Sequence, residues 1–280
     1  MFGRKGLDVK TPDQIRTMRV AGMVVAETLE LIGGQARAGM TTGDLDRTAE
    51  DFIRSKGATP SFLGYHGFTG SLCVSVNEEV VHGIPGSRIL RDGDLVSIDC
   101  GAIVDGWHGD AAISVIVGGR EAGSARDVAL MDATQASMWA GIAALTVGSP
   151  LNDVGAAVED CIIDAARADD VTYGIVEDYV GHGIGTEMHQ DPQVPNYRVR
   201  ERGPVVRSGV TVAIEPMVTL GSAETDVLDD DWTVVTQDGS RAAHWEHSVA
   251  VTDAGIWVLT ASDGGRERLG ALGAAYAPLA

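Results

Sequence analysis

The sequence predicts an α+β domain formed by an internal duplication and folded about a pseudo-twofold axis. Three observations carry this reading. The predicted elements run helix, helix, strands, and then helix, helix, strands, along 280 residues. A segment of the first half, Gly39-x4-Asp44-Leu45-x4-Glu50-Asp51-x-Ile53, recurs as Gly148-x4-Asp153-Val154-x4-Glu159-Asp160-x-Ile162, at a constant offset of 109. No low-complexity or proline-rich linker divides the chain. Shared amphipathic helix patterning can also produce a short match, but the repeated element order favours duplication. The expected boundaries are a tail over 1–10, one domain over 11–262 with repeats at about 12–118 and 122–260, and a tail over 263–280.

The first helix opens at Thr11-Pro12-Asp13, which offers an N-cap, a proline at the first helical position and an acid in the first turn. Apolar residues recur at helical spacing from Ile15 to Leu31, and Gly33-Gly34 is expected to stop them. A second helix is expected from about Thr42 to Lys56, ended by Gly57. Residues 58–118 read as strands in SLCVSV, VSIDCGAIV and AAISVIV. Helices return at about Ala125–Leu145 and Leu151–Arg167, and VTVAIEPMVTL, DWTVVT, HSVAVT and WVLTA read as strands.

Composition removes several classes of function. With 40 Asp and Glu against 21 Lys and Arg the formal charge is −19, so no basic stripe exists to release phosphate counterions, and nucleic acid is not an expected partner. No apolar run approaches the roughly 20 residues of a membrane span, and the first residues lack an apolar signal core, so no membrane association is expected. Cys73, Cys100 and Cys161 show no repeated spacing, which argues against a disulfide framework or a cysteine zinc site. A soluble, reduced, cytoplasmic setting is the expectation, and the excess acid is mostly solubilising surface charge.

The informative acids are those placed in apolar strands. Asp99 and Asp110 lie on two runs joined by Asp105-Gly106, a hairpin signal. A two-residue turn there puts Val104 opposite Trp107, Gly101 opposite Asp110 and Asp99 opposite Ala112, so both acids share one face as diagonal neighbours. No Lys or Arg occurs between Asp92 and Gly119. In the second half Glu215 lies in an apolar run long enough for a buried strand, and Glu246 lies in AHWEHSVAV, where alternation groups it with His244. A carboxylate buried alone costs several kcal/mol or neutralises itself. Two divalent ions would balance four such charges with oxygen ligands. His182, flanked by glycines in GHGIG, is the candidate nitrogen ligand. The same string lacks the G-x-G-x-x-G spacing of a nucleotide loop.

In these contexts (IDCGAIVDGWHGD, GHGIG, AIEPM and HWEH) Asp99, Asp110, His182, Glu215 and Glu246 resemble the five metal ligands of the methionine aminopeptidases. KTPDQIRTMRVAGMVVAE and LGYHGFTGSLCVSVNEEVVHGIPG extend the resemblance over nearly the whole chain. The family fold is the pseudo-symmetric "pita-bread" domain, an antiparallel sheet covered by two helix pairs. The short spacings from His189 to Glu215 and on to Glu246 leave no room for the type II helical insertion, so the resemblance is to type I, without the N-terminal extension of some members.

The resemblance implies specific roles. Asp110 and Glu246 would bridge two metals, His182 and Glu215 would complete one site, and Asp99 the other. Fe(II), Mn(II) or Co(II) suit one nitrogen and four carboxylates. The bound ions would activate a water against the scissile carbonyl, with Glu215 moving its proton. His82 and His189 would contact the peptide and stabilise the tetrahedral intermediate. Tyr65, Phe68, Cys73, Met188 and Trp232 would surround the methionine side chain. Phe62, Phe68, Met188, Gln190 and His244 depart from residues frequent at these positions. The implied partners are nascent polypeptide N-termini, at or away from the ribosome, and the implied state is a monomer. The implied reaction is removal of the initiator methionine, with a small second residue preferred. A proline-directed peptidase of the same fold is the alternative enzyme, and a binding module without activity the alternative outside catalysis.

Overall fold

Thr11 caps the first helix as its sequence predicts. In the computed structural model, which describes residues 7–279, helix α1 spans Pro12–Gln35. The Thr11 side chain accepts from the Gln14 N–H and the Gln14 side chain accepts from the Thr11 N–H. Contrary to expectation, α1 runs through Gly33 and Gly34. A Cβ at Gly33 would stand 2.9 Å from Ile113 Cδ1, so that glycine permits close packing on the sheet instead of ending the helix. Capping boxes also open α2, Thr42–Ser55, through Thr41 and Asp44, and α3, Ala125–Ala143, through Ser124 and Asp127. Helix α4, Asp153–Asp169, begins two residues later than expected because Leu151 N–H donates to Pro204 O, outside the helix.

The strands of the first half are β1 (Thr59–Pro60), β2 (Leu72–Val76), β3 (Glu79–Val81), β4 (Leu95–Val104) and β5 (Trp107–Ile116). Those of the second are β6 (Gly174–Ile175), β7 (Gly181–Gly183), β8 (Gln190–Val194), β9 (Thr211–Ile214), β10 (Met217–Thr219), β11 (Thr225–Val227), β12 (Val234–Thr236), β13 (Ala242–His244), β14 (Glu246–Thr252) and β15 (Gly255–Val258). A short α5, Arg266–Ala271, follows. One antiparallel sheet runs β1-β4-β5-β14-β9-β7-β8, with β2 added on β4 and β15 on β14. The halves meet where β14 pairs β5, at Glu246 with Ala112 and His247 with Ala111.

The two halves share matching backbone features. Gly39 and Gly148 adopt φ of 90° and 91°, donating to Leu90 O and Val206 O respectively. Each is followed by an isolated bridge, Thr41 to Ile89 and Pro150 to Val205. The helical offset of 109 widens to 116 in the strands, pairing Ile89 with Val205, Gly93 (φ 85°) with Gly209 (φ 89°), and Asp99 with Glu215. The two acids therefore occupy corresponding places in the two repeats.

Helices α1 and α2 bury Val25, Ile32, Leu45 and Ile53 against Val74, Ile98 and Cys100, while α3 and α4 bury Met138, Ile142 and Val158 against Val212, Ile214 and Val249. Burial at roughly 1.5–3 kcal/mol per large aliphatic side chain lets the opposite face carry acids. The approach of α1 to β5 is set by two glycines, since a Cβ on Gly109 would lie 2.7 Å from Gly22 N.

Two expected strands are broken. VTVAIEPMVTL divides at Glu215-Pro216, because Pro216 has no N–H to continue the ladder, and β10 joins β13 and β6 in a separate sheet. AHWEHSVAV divides at Trp245, so His244 and Glu246 belong to different sheets and alternation does not relate them. Of the stretch before Thr11, residues 1–6 lie outside the described residues, while Val9 bridges Val210 and Lys10 N–H donates to Gly209 O. Beyond 262 the chain packs back: Leu269 is fully buried, and Tyr276 bridges Ile256.

Candidate active site

The hairpin between β4 and β5 has the predicted geometry. Asp105 and Gly106 both have positive φ, 49° and 79°, as a two-residue turn matching the strand twist requires. The register is Val104 with Trp107, Gly101 with Asp110 and Asp99 with Ala112. Ala112 is also the cross-strand partner of Glu246, so one small residue lies between Asp99 and Glu246, with Asp110 two residues along the same face. Alternation sends Ile98 and Cys100 into the helix-side core and leaves Asp99 on the opposite face.

His182 reaches the same place from β7. A Cβ on Gly181 would lie 2.4 Å from Ala213 O and one on Gly183 2.3 Å from Asp191 O, so only glycines fit between the neighbouring backbones. His182 Nδ1 lies 3.0 Å from Gly183 O. A carbonyl only accepts, so Nδ1 carries the proton and Nε2 keeps its lone pair, 3.3 Å from Glu215 Oε1. Asn196, absent from the sequence-based expectations, donates from Nδ2 to Glu215 O at 3.1 Å and steadies the segment where β9 ends. No sequence signal marks it, because the contact is purely tertiary.

The electrostatics fit a cation site. Potential ligand atoms of Asp110, His182 and Glu246 all lie within 4.8 Å of one another. Asp99 Oδ1, Asp110 Oδ1 and Glu246 Oε1 are buried without a hydrogen-bond partner. Burial pushes the Asp99 carboxyl up to about 7, against a backbone hydrogen bond from Cys100. Burial, reinforced by Asp99 and Glu215, holds Asp110 well above the usual carboxylate range; Glu215 and Glu246 are raised by burial first and by neighbouring acids second. Burial and the nearby His189 lower His182 to about 3, so its imidazole is neutral. No lysine or arginine lines the cavity. Orphaned carboxylate oxygens around a neutral imidazole nitrogen are the donor set a divalent ion satisfies.

Every residue expected at the site lines this one cavity of about 130 Å³: Asp99, Asp110, His182, Glu215 and Glu246 with His82, His189, Tyr65, Phe68, Cys73, Met188 and Trp232. Its apolar end is a cluster of Phe62, Phe68, Cys73 and Met188, with Tyr65 and Trp232 against it. Phe62 and Val81 also line the cavity. Phe68 meets the edge of Trp232 at 5.0 Å. Tyr65 Oη is 2.9 Å from His189 Nδ1, and the His189 ring stands 4.3 Å from that of His182. Gln190 turns away and accepts from Lys10 Nζ at 3.1 Å. His244 does not reach the cavity lining: it is buried on β13, its Nε2 without a partner. Among the described residues no helix is long and apolar enough to cross a membrane.

Comparison with known proteins agrees with this geometry. Residues 16–253 match the model of metallopeptidase family M24. The chain is 52% identical to methionine aminopeptidase 1 of Mycobacterium tuberculosis over 92% of its own length and 96% of the relative's. It is 45% identical to methionine aminopeptidase 1 of Bacillus subtilis, over 90% of this chain and 98% of that one. The crystal structure of a methionine aminopeptidase from Thermotoga maritima superposes with a TM-score of 0.84 at 39% identity, covering 91% of this chain and all of the other. A prolidase from Pyrococcus furiosus matches 91% of this chain with 65% of its own, at a TM-score of 0.69 and 18% identity, a likeness of fold alone.

Proposed function

The chain belongs to metallopeptidase family M24, among its methionine aminopeptidases, and on that premise we propose that it uses two divalent ions to remove initiator methionine from new polypeptides, favouring a small second residue. The observation that carries the metal half of this reading is the set of buried, unpartnered oxygens on Asp99, Asp110 and Glu246 beside the unprotonated Nε2 of His182. In the proposed arrangement Asp110 and Glu246 would serve both ions, His182 and Glu215 would help to hold one, and Asp99 the other. Fe(II), Mn(II) or Co(II) suit this set. Such ions supply Lewis-acid activation of a water and of the scissile carbonyl.

The remaining steps belong to the chain's own groups. The apolar end, with Phe62, Phe68, Cys73, Met188 and Trp232, takes the methionine side chain and excludes water from it. Glu215 is the proton carrier, because burial gives its carboxyl a raised proton affinity and it lines the cavity. His82, lowered to about 4 by burial and by His189, is a neutral donor. Burial raises the Tyr65 hydroxyl's pKa, so it keeps its proton, and in the tautomer where it donates to His189 Nδ1 the His189 Nε2–H is left to stabilise charge on the carbonyl oxygen.

One assay separates this reading from its rivals. Purified protein supplied with Fe(II), Mn(II) or Co(II) is offered Met-Ala-Ser and Ala-Pro peptides. The expected result is methionine release from the first, lost in Glu246→Ala. Cleavage solely before proline would establish the proline-directed alternative, and an inert protein that binds no metal would establish a binding module.

A further inference from the structure

His82 and His189 flank the same cavity, yet they are held in different ways. His189 Nδ1 shares a hydrogen bond with the Tyr65 hydroxyl at 2.9 Å. No hydrogen bond reaches the His82 imidazole among the described residues. Its backbone sits at φ 60°, a conformation uncommon for a side-chain-bearing residue and found at sites where orientation matters. Two aromatic rings complete its surroundings. Tyr179 lies 5.4 Å from the His82 ring at 83°, and Trp232 lies 6.0 Å away at 87°. Both contacts are the perpendicular arrangement that ring quadrupoles favour.

Tyr179 lies outside the cavity lining, three residues before His182 and in the segment leading to β7. It packs against the buried cluster of Val80, Val81, Val176, Met217, Val234 and Ala242. Its hydroxyl makes no hydrogen bond among the described residues. The ring therefore has a firm backing, meets the His82 ring nearly at right angles, and leaves its polar end unused.

We propose that Tyr179 is a positioning residue for His82 and that it acts through its ring, whereas Tyr65 orients His189 through its hydroxyl. This rests on the reading of His82 as a substrate-facing group. Losing the Tyr179 ring lets the imidazole tilt, and misplacement of a catalytic group by about 1 Å can cost on the order of 100-fold in rate. Since the contact acts on orientation, the loss falls on kcat and on affinity for a tetrahedral mimic, while binding of the methionine side chain is spared.

The test uses the metal-loaded enzyme and five variants: Tyr179→Leu, Tyr179→Met, Tyr179→Phe, His82→Ala and the double variant Tyr179→Leu/His82→Ala. Circular dichroism and thermal melting establish that each is folded, and Tyr179→Met serves if the leucine variant is not. The expected result is a loss of about tenfold or more in kcat for Tyr179→Leu or Tyr179→Met with KM little changed. The α-aminophosphonate analogue of methionine should bind more weakly by the same factor, with free methionine binding unchanged. Tyr179→Phe should restore kcat to within about twofold of the parent. The double variant should be no slower than His82→Ala alone, because a residue acting through His82 has nothing left to act on. Losses that multiply in the double variant, or a phenylalanine variant as slow as the leucine one, would overturn the proposal. Full activity in His82→Ala would instead remove the reading of His82 on which it rests.

Discussion

Replacing Asp99 by asparagine should stabilise the metal-free protein, and by an amount that depends on pH. Asp99 is buried with Oδ1 unpartnered, and burial lifts its carboxyl from 3.8 to about 7. Between those values the folded chain holds a proton that the unfolded chain has released, so stability falls as pH rises through the window and the loss is complete above about 7. The interval is about three pH units, and at about 1.36 kcal/mol each the full cost of ionising Asp99 in the fold is about 4 kcal/mol. At pH 5 less than half of it has been incurred. Asparagine keeps the shape and has no proton to lose, so its own burial cost is the same at both pH values. Urea unfolding of the chelated proteins at pH 5 and pH 8 should show the advantage of Asp99→Asn growing by roughly 2–3 kcal/mol between them. An advantage that stays constant or shrinks would refute the assigned environment of Asp99. Saturating Mn(II) should reverse the order, since the parent then gains binding energy that the variant forgoes.

Three further outcomes follow from the same geometry. Metal affinity should rise between about pH 6 and pH 8, because ions must displace protons from Asp99 and from acids that burial raises further; calorimetry in two buffers of different ionisation enthalpy measures those protons, and a pH-independent affinity would count against the site. Tyr65→Phe should lower kcat by roughly three- to tenfold with melting temperature nearly unchanged, as expected for one lost orienting hydrogen bond. Gly109→Ala places a Cβ 2.7 Å from Gly22 N, a backbone atom that cannot swing aside, and chemical denaturation should show a loss of about 1–3 kcal/mol.

What could be seen in the sequence was what is encoded locally. The Asp105-Gly106 turn dictates its own register, and with it the shared face of Asp99 and Asp110. Thr11 and Gly57 mark helix ends through capping chemistry that needs no tertiary partner. Gly33 misled because a glycine's role as a spacer depends on Ile113, a residue 80 positions away. The break at Glu215-Pro216 was written in the proline, but the length of the apolar run outweighed it. His244 could not be placed by alternation, because the strand ends at Trp245. Asn196 and Tyr179 carry no signature of their own; each matters through one contact with a residue distant in the chain.

The narrow seam between β5 and β14 gives the metal centre a mechanical meaning. Among the described residues two pairs register the halves along that line, and one of them contains Glu246. Asp99 and Asp110 stand on one side of the seam; His182, Glu215 and Glu246 stand on the other. An ion held by both groups would act as a rivet through the joint, closing the chain loop from Asp110 to His182 in addition to filling a catalytic site. Chelation should therefore loosen the molecule first along this line, and hydrogen exchange at Ala111 and Ala112 should respond before the helix-backed cores of either half.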